Sequence, residues 1–115
     1  PFPTINELEI PSERKNDPSW LYKTAQNYYH GRDGRIKNRL NAAIVFQYVA
    51  DNFPEYRNVG IAHYQTAFCY LQYVKEDRSG KDVKEILLLL VGKIVLDTYN
   101  YLQKIIIFLG FVIIL

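Results

Sequence analysis

The sequence is short of the residues that staple a fold or build a metal centre. Its 115 residues hold one cysteine, Cys69, and two histidines, His30 and His63. A single thiol excludes an internal disulfide, so oxidative cross-linking has no part in this fold. Cys69 and His63 lack a companion Cys-x2-Cys pair or a second histidine at ligand spacing, so neither a metal site nor a cofactor is expected. Charge imbalance is missing too: 14 Lys+Arg stand against 12 Asp+Glu. No global field points to nucleic acid or to an acidic substrate. Residues 1 to 18 contain no apolar core of signal-peptide length and carry Glu7, Glu9, Glu13 and Asp17, so no signal peptide is expected there.

What is present is aromatic and, late in the chain, aliphatic. Methionine is absent, whereas ten tyrosines and six phenylalanines are spread along the sequence. Residues 86 to 96 read ILLLLVGKIVL, and 105 to 115 read IIIFLGFVIIL with no polar side chain. A membrane-spanning helix needs about 20 mainly apolar residues, so the final run alone is too short. Extended back through Tyr99, Tyr101 and Lys104 as an interfacial margin, it fits an anchor or the first half of one.

The periodicity predicts an all-α chain. Residues 1 to 16 carry Pro1, Pro3 and Pro11 and no helical period, which reads as an extended N-terminal arm, either disordered or laid across a partner. Asp17-Pro18 is an N-cap followed by proline at the first helical position. Trp20, Leu21, Ala25, Tyr28 and Tyr29 then carry a helix to about His30, where Gly31-Arg-Asp-Gly34 breaks it. A second helix is predicted from Arg35, with Leu40, Ala43 and Gln47 on one flank and Ala42, Phe46, Val49, Ala50 and Phe53 on the next, ending at Pro54. Its wide apolar arc suits a helix with neighbours on two sides. A third is predicted from near Asn58, with Ile61, Tyr64, Ala67, Phe68, Leu71 and Val74 facing inward, ending in Lys75-Glu-Asp-Arg78. Ser79-x-x-Asp82 is a capping-box-like start for a fourth, running to about Lys104 or on into the tail.

Ala42-x3-Phe46-x7-Pro54, followed by Tyr64, Ala67 and Leu71, resembles the small, aromatic and proline pattern of tetratricopeptide (TPR) repeats over roughly residues 20 to 104. The passage from Phe53-Pro54 to Tyr70-Leu71 looks most like the TPR variety of bacterial outer-membrane assembly and envelope-scaffold lipoproteins. The overall layout is similar to that of tail-anchored TPR proteins of mitochondrial or other organelle membranes. The repeat is divergent: the loop from Gly31 to Asn38 is long, Phe68 stands at the usual glycine position, and the fourth helix is uniformly apolar. The resemblance implies two TPR-like antiparallel helical hairpins over 17–104, between the arm (1–16) and a hydrophobic C-terminal helix or segment (105–115). It also implies a role in protein binding.

The candidate chemistry is sparse. His30 and Asp33 could act as base and orienter, but no nucleophile or ligand set accompanies them. Gly31 to Gly34 is more simply a turn, and no enzyme is expected. Arg32, Arg35, Lys37 and Arg39 form the densest basic patch, suited to lipid headgroups, RNA phosphates or an acidic peptide, with a solvated helix start as the plainer reading. Cys69 reads as a small buried hydrophobe. The tyrosines read mostly as core and groove-lining. Lys93 and Asp97, at i,i+4 spacing, read as an outward-facing ordinary pair.

The expectation is therefore a non-catalytic scaffold or accessory subunit of a membrane-associated, organellar assembly, binding protein through its helical faces and arm. Tyr28, Tyr29, Arg32, Arg35 and Arg39 are the expected partner contacts. Ile105, Ile106, Ile107, Phe108, Leu109 and Phe111 are the expected membrane or subunit-packing residues. The alternatives are a soluble peptide-binding adaptor whose tail packs within an oligomer, and a lipid- or RNA-binding module using residues 32–39. Nucleic acid is not the expected partner.

Overall fold

The structure is a computed structural model that describes residues 4–76, 92–93, 95–97, 99–104 and 106–110, apart from the side chain of Val74. The chain is all-α: the described residues hold helices α1 (Pro18–His30), α2 (Arg39–Asn52) and α3 (Val59–Glu76) and no strand. The described residues between 92 and 110 are also helical. Ser79-x-x-Asp82, the stretch 77–91 and the tail residues Ile105 and Phe111 lie outside the described residues.

Local signals set the ends of α1. Asp17 is its N-cap, accepting a hydrogen bond from the Trp20 amide at 3.1 Å, and Pro18 fills the first turn, where an amide hydrogen would have no helical partner. Gly31 ends the helix in a left-handed conformation (φ 71°), its N–H donating to the Asn27 carbonyl. A Cβ on Gly31 would sit 3.0 Å from that of Lys37, so glycine is needed there for space as well as for φ.

The second helix begins four residues later than its basic run suggests. Asn38 is its N-cap: the backbone is extended (φ −151°), the side chain accepts from the Asn41 amide at 2.9 Å, and the Asn38 N–H donates to the Tyr28 carbonyl. Arg35 and Lys37 therefore lie on a loop stitched to α1 and not on a helix face. The other end falls at Asn52, two residues before Pro54, as the proline rule requires.

Packing places α2 at the centre. It touches α1 on one side and α3 on the other, and Ala42, Ala43, Ile44, Val45, Phe46, Val49 and Ala50 are all buried. The alanines permit close approach on both sides. Phe46, 1% exposed, fills the α1 side, with the Tyr22 ring edge-on at 5.3 Å. Full burial of such a ring contributes about 1.5–3 kcal/mol. Leu21, Thr24, Ala25 and Tyr28 form the matching stripe of α1 at three-to-four spacing.

The buried face of α3 differs from the expected one. Ala62, Thr66, Cys69 and Tyr70 are buried, whereas Ile61, Tyr64 and Leu71 are 49%, 65% and 38% exposed. Residues 59 to 74 are apolar on nearly every side, so periodicity alone does not single out a face. Small residues decide it: Ala62 and Cys69 let α3 approach the alanine-rich α2. Thr66 can be buried because its hydroxyl donates to the Ala62 carbonyl at 2.8 Å.

The N-terminal arm lies on the chain's own helices. Residues 4–16 hold two 3-10 turns, Ile5–Glu7 and Ser12–Arg14; Ile10 is buried, and Ile5 and Leu8 pack against the core. Tyr48 donates to the Lys15 carbonyl at 3.2 Å and pins the arm to α2.

Candidate functional site

The five expected partner contacts meet at one corner of the molecule, but they are not equally open. Tyr28 is only 7% exposed, and its hydroxyl accepts from Arg35 at 2.7 Å. It belongs to the core. Arg35 lies over the Tyr28 ring at 4.7 Å and donates to the Glu9 carbonyl of the arm at 3.3 Å, so it staples arm, loop and α1 together. Arg39 lies 3.7 Å over the Tyr29 ring, with its side chain 14% exposed and Glu76 at 3.5 Å. Its Nε and Nη1 are buried without a hydrogen-bond partner. Lys37 reaches the same Glu76 at 3.9 Å, tying the start of α2 to the end of α3. Arg32 is exposed and makes no ion pair among the described residues.

From this corner an aromatic ladder runs onto α3. The Phe68 ring is 5.9 Å from that of Tyr29, and Tyr64 stacks on Phe68 at 6.2 Å with an interplanar angle of 14°. Tyr22 approaches Tyr56 at 6.0 Å, just before α3 begins. Early α1 thus meets the start of α3 and late α1 meets its middle, so the two helices run in the same sense. Ile61, Tyr64 and Leu71 extend the ladder as an apolar stripe open to solvent. The stripe is legible in the sequence as an apolar periodicity, whose expected place is the core.

A second constellation joins elements distant in sequence. Asp97 is 8% exposed; its Oδ2 lies 3.2 Å from His63 Nδ1 on α3 and 3.3 Å from Lys93 Nζ. Lys93 also donates to Asp51 at the end of α2 at 3.0 Å. The expected outward Lys93–Asp97 pair is therefore turned inward, toward Asp51 on α2 and His63 on α3. Gly60 marks the same close approach: a Cβ there would lie 3.0 Å from the Tyr101 ring. This polar clasp holds the 92–110 helical residues against the body of the domain. Its four side chains offer two carboxylates and two bases. Among the described residues no three His, Cys, Asp or Glu side chains converge as a metal site.

His30 and Asp33 do not form a pair among the described residues. His30 packs edge-on to Tyr29 at 4.9 Å. Partial desolvation first, then the charges of Arg32 and Arg39, lower its pKa below the usual imidazole value. Asp33 is left-handed (φ 56°), as are Gly31 and Gly34, so the loop is a tight turn. Cys69 is buried, and burial pushes its thiol up to about 12, against the opposing pull of Arg39. A thiol so poised is no nucleophile at neutral pH.

Many of the late helical side chains are apolar and open. Val95, Leu96, Tyr99, Leu102, Ile106, Ile107, Phe108 and Leu109 are each about half exposed or more. Four consecutive exposed residues, Ile106 to Leu109, cover every side of a helix. Among the described residues no helix is long and apolar enough to cross a membrane.

Comparison with protein-family models, curated proteins and solved structures finds no match to this chain.

Proposed function

We propose that this chain is a non-catalytic protein-interaction scaffold or accessory subunit, of divergent TPR-like design, whose C-terminal helix attaches it to a membrane or a membrane-bound assembly. The observation that carries the reading is the set of exposed apolar side chains among the described residues from Val95 to Leu109. Soluble monomers rarely leave so many large apolar side chains of one segment in water, and such clusters mark protein or membrane contacts. Three features support the scaffold half. α1 and α3 run in the same sense with α2 behind them, as adjacent repeats do. The aromatic ladder lies on their open side. The inward chemistry, Thr66, Cys69 and Asp97, is spent on packing and on one internal clasp.

Two measurements test this. Flotation of the full chain with phosphatidylcholine vesicles should show membrane association that is lost when Ile106, Phe108 and Leu109 are replaced by serine. A native pull-down with mass spectrometry should recover the same protein partners before and after that change only if they bind the helical faces. A full chain that is monodisperse without detergent and ignores vesicles would refute attachment. If such a chain formed a defined oligomer, the apolar tail would be packed between subunits, as in an adaptor.

A further inference from the structure

The open side of α1 and α3 has a chemical polarity. Ile61, Tyr64, Phe68 and Leu71 recur at three- and four-residue steps over three turns of α3, about 15 Å, and Tyr29 widens the strip toward α1. One end of the strip is cationic. Lys75 follows Leu71 by four residues on the same face of α3, Arg32 follows Tyr29 by three just past the end of α1, and Arg39 lies over the Tyr29 ring. Lys37 and Arg35 lie on the intervening loop, with the carboxylates of Glu9, Asp33 and Glu76 nearby in the chain or in contact. Glu76 is shared by Lys37 and Arg39, and Arg35 is held by Tyr28 and Glu9. Arg32 and Lys75 remain exposed, without an ion pair among the described residues.

We propose that this strip docks an amphipathic segment of a partner protein, apolar along one face and acidic at the end that meets Arg32 and Lys75. This rests on the scaffold reading above and adds the chemistry of the partner. The spacing of the stripe matches the apolar face of a helix laid along it, which anchors at i, i+3, i+4 and i+7. Aliphatic Ile61 and Leu71 among the rings favour apolar side chains over stacked bases. Unpaired cations at one end set the direction in which the segment lies. The buried face of α3 is locked to α2, so the strip is presented on a rigid helix.

The test is a selection of displayed helical peptides on the full chain held in nanodiscs, followed by binding titrations of the enriched peptides. Enrichment of Asp or Glu at one end of an apolar stripe is expected, with affinity falling as salt rises. A double change, Ile61→Ser with Tyr64→Ser, should weaken binding about tenfold or more. Arg32→Glu with Lys75→Glu should weaken acidic peptides and leave neutral ones unchanged. These four side chains are exposed, and circular dichroism checks that each variant keeps its helices. Enrichment of neutral or basic peptides overturns the acidic partner while the scaffold reading stands. Absence of any peptide sensitive to Tyr64, with partners still recovered in the pull-down, overturns this surface alone. Binding of phosphatidylserine vesicles or single-stranded RNA at the strip in place of peptide overturns this surface as a protein site, and the scaffold reading falls with it only if the pull-down also recovers no partner.

Discussion

Two apolar regions of this protein have opposite fates. Around α2, small residues let helices close on both sides, and Phe46, Val45 and Val49 vanish from solvent. Among the described residues between 95 and 109, apolar side chains of similar hydropathy stay open, and the segment is held to the body by polar contacts of His63, Lys93, Asp51 and Asp97. The difference teaches that apolar character alone does not make a core. Burial also requires a neighbour whose surface lets it approach, and Ala42, Ala43, Ala50 and Ala62 provide that approach only around α2.

The contrast can be broken most sharply at its centre. Phe46→Ala should cost about 3–5 kcal/mol, read as a fall in the thermal or urea midpoint, because a ring lost between α1 and α2 leaves a cavity that rigid neighbours cannot close. A midpoint unchanged within error would mean that the α1–α2 packing is wrong. Next comes the clasp. Asp97→Ala leaves Lys93 with Asp51 alone and should cost about 1–3 kcal/mol, with amide exchange quickening in 95–104 and not in α1. Uniform quickening would show that the late helical residues belong to the same cooperative unit as the core. Gly31→Ala should cost about 1–2 kcal/mol, since it forces a Cβ against Lys37 in a left-handed turn. Smallest of the substitutions is Phe108→Ser, which should move the stability of the α1–α3 body by less than about 0.5 kcal/mol.

Cys69 supplies a pH test of the same core. Its folded pKa is raised by burial to about 12 from the ordinary 9.0, so the folded state holds the thiol proton more tightly than the unfolded chain. The resulting stability is fully present below about pH 9 and is lost as pH rises toward 12; Tyr70, raised chiefly by burial, acts in the same direction. Urea titrations across that range should fall less steeply for Cys69→Ala. Alkylation of the native thiol at pH 8 should be slower than in urea by orders of magnitude. Equal rates would mean that α3 turns another face inward.

The legible parts of the fold were those set by neighbours in sequence. Asp17-Pro18, Gly31 and Pro54 each act within a few residues through φ, a missing N–H or a cap, and they placed both ends of α1 and the end of α2. Asn38 acts just as locally, yet the basic run from Arg35 masks it, and α2 starts four residues later than that run predicts. The face of α3 was not legible because its sequence is apolar almost all round. The candidate site was legible in composition and illegible in exposure. Tyr29 is half-buried and Arg32 exposed, Tyr28 is sealed beneath Arg35, and Tyr64, the most open aromatic of the ladder, carries the sequence period of a core residue.

By itself the sequence determined an all-α chain, its helix breaks, the absence of an internal disulfide and the presence of an apolar tail, because each follows from local geometry or from counting. Only the tertiary structure decided which side of α3 is buried and that Lys93 and Asp97 turn inward to Asp51 and His63. Those choices depend on the shape and charge of surfaces dozens of residues away, and no period within a single helix encodes them.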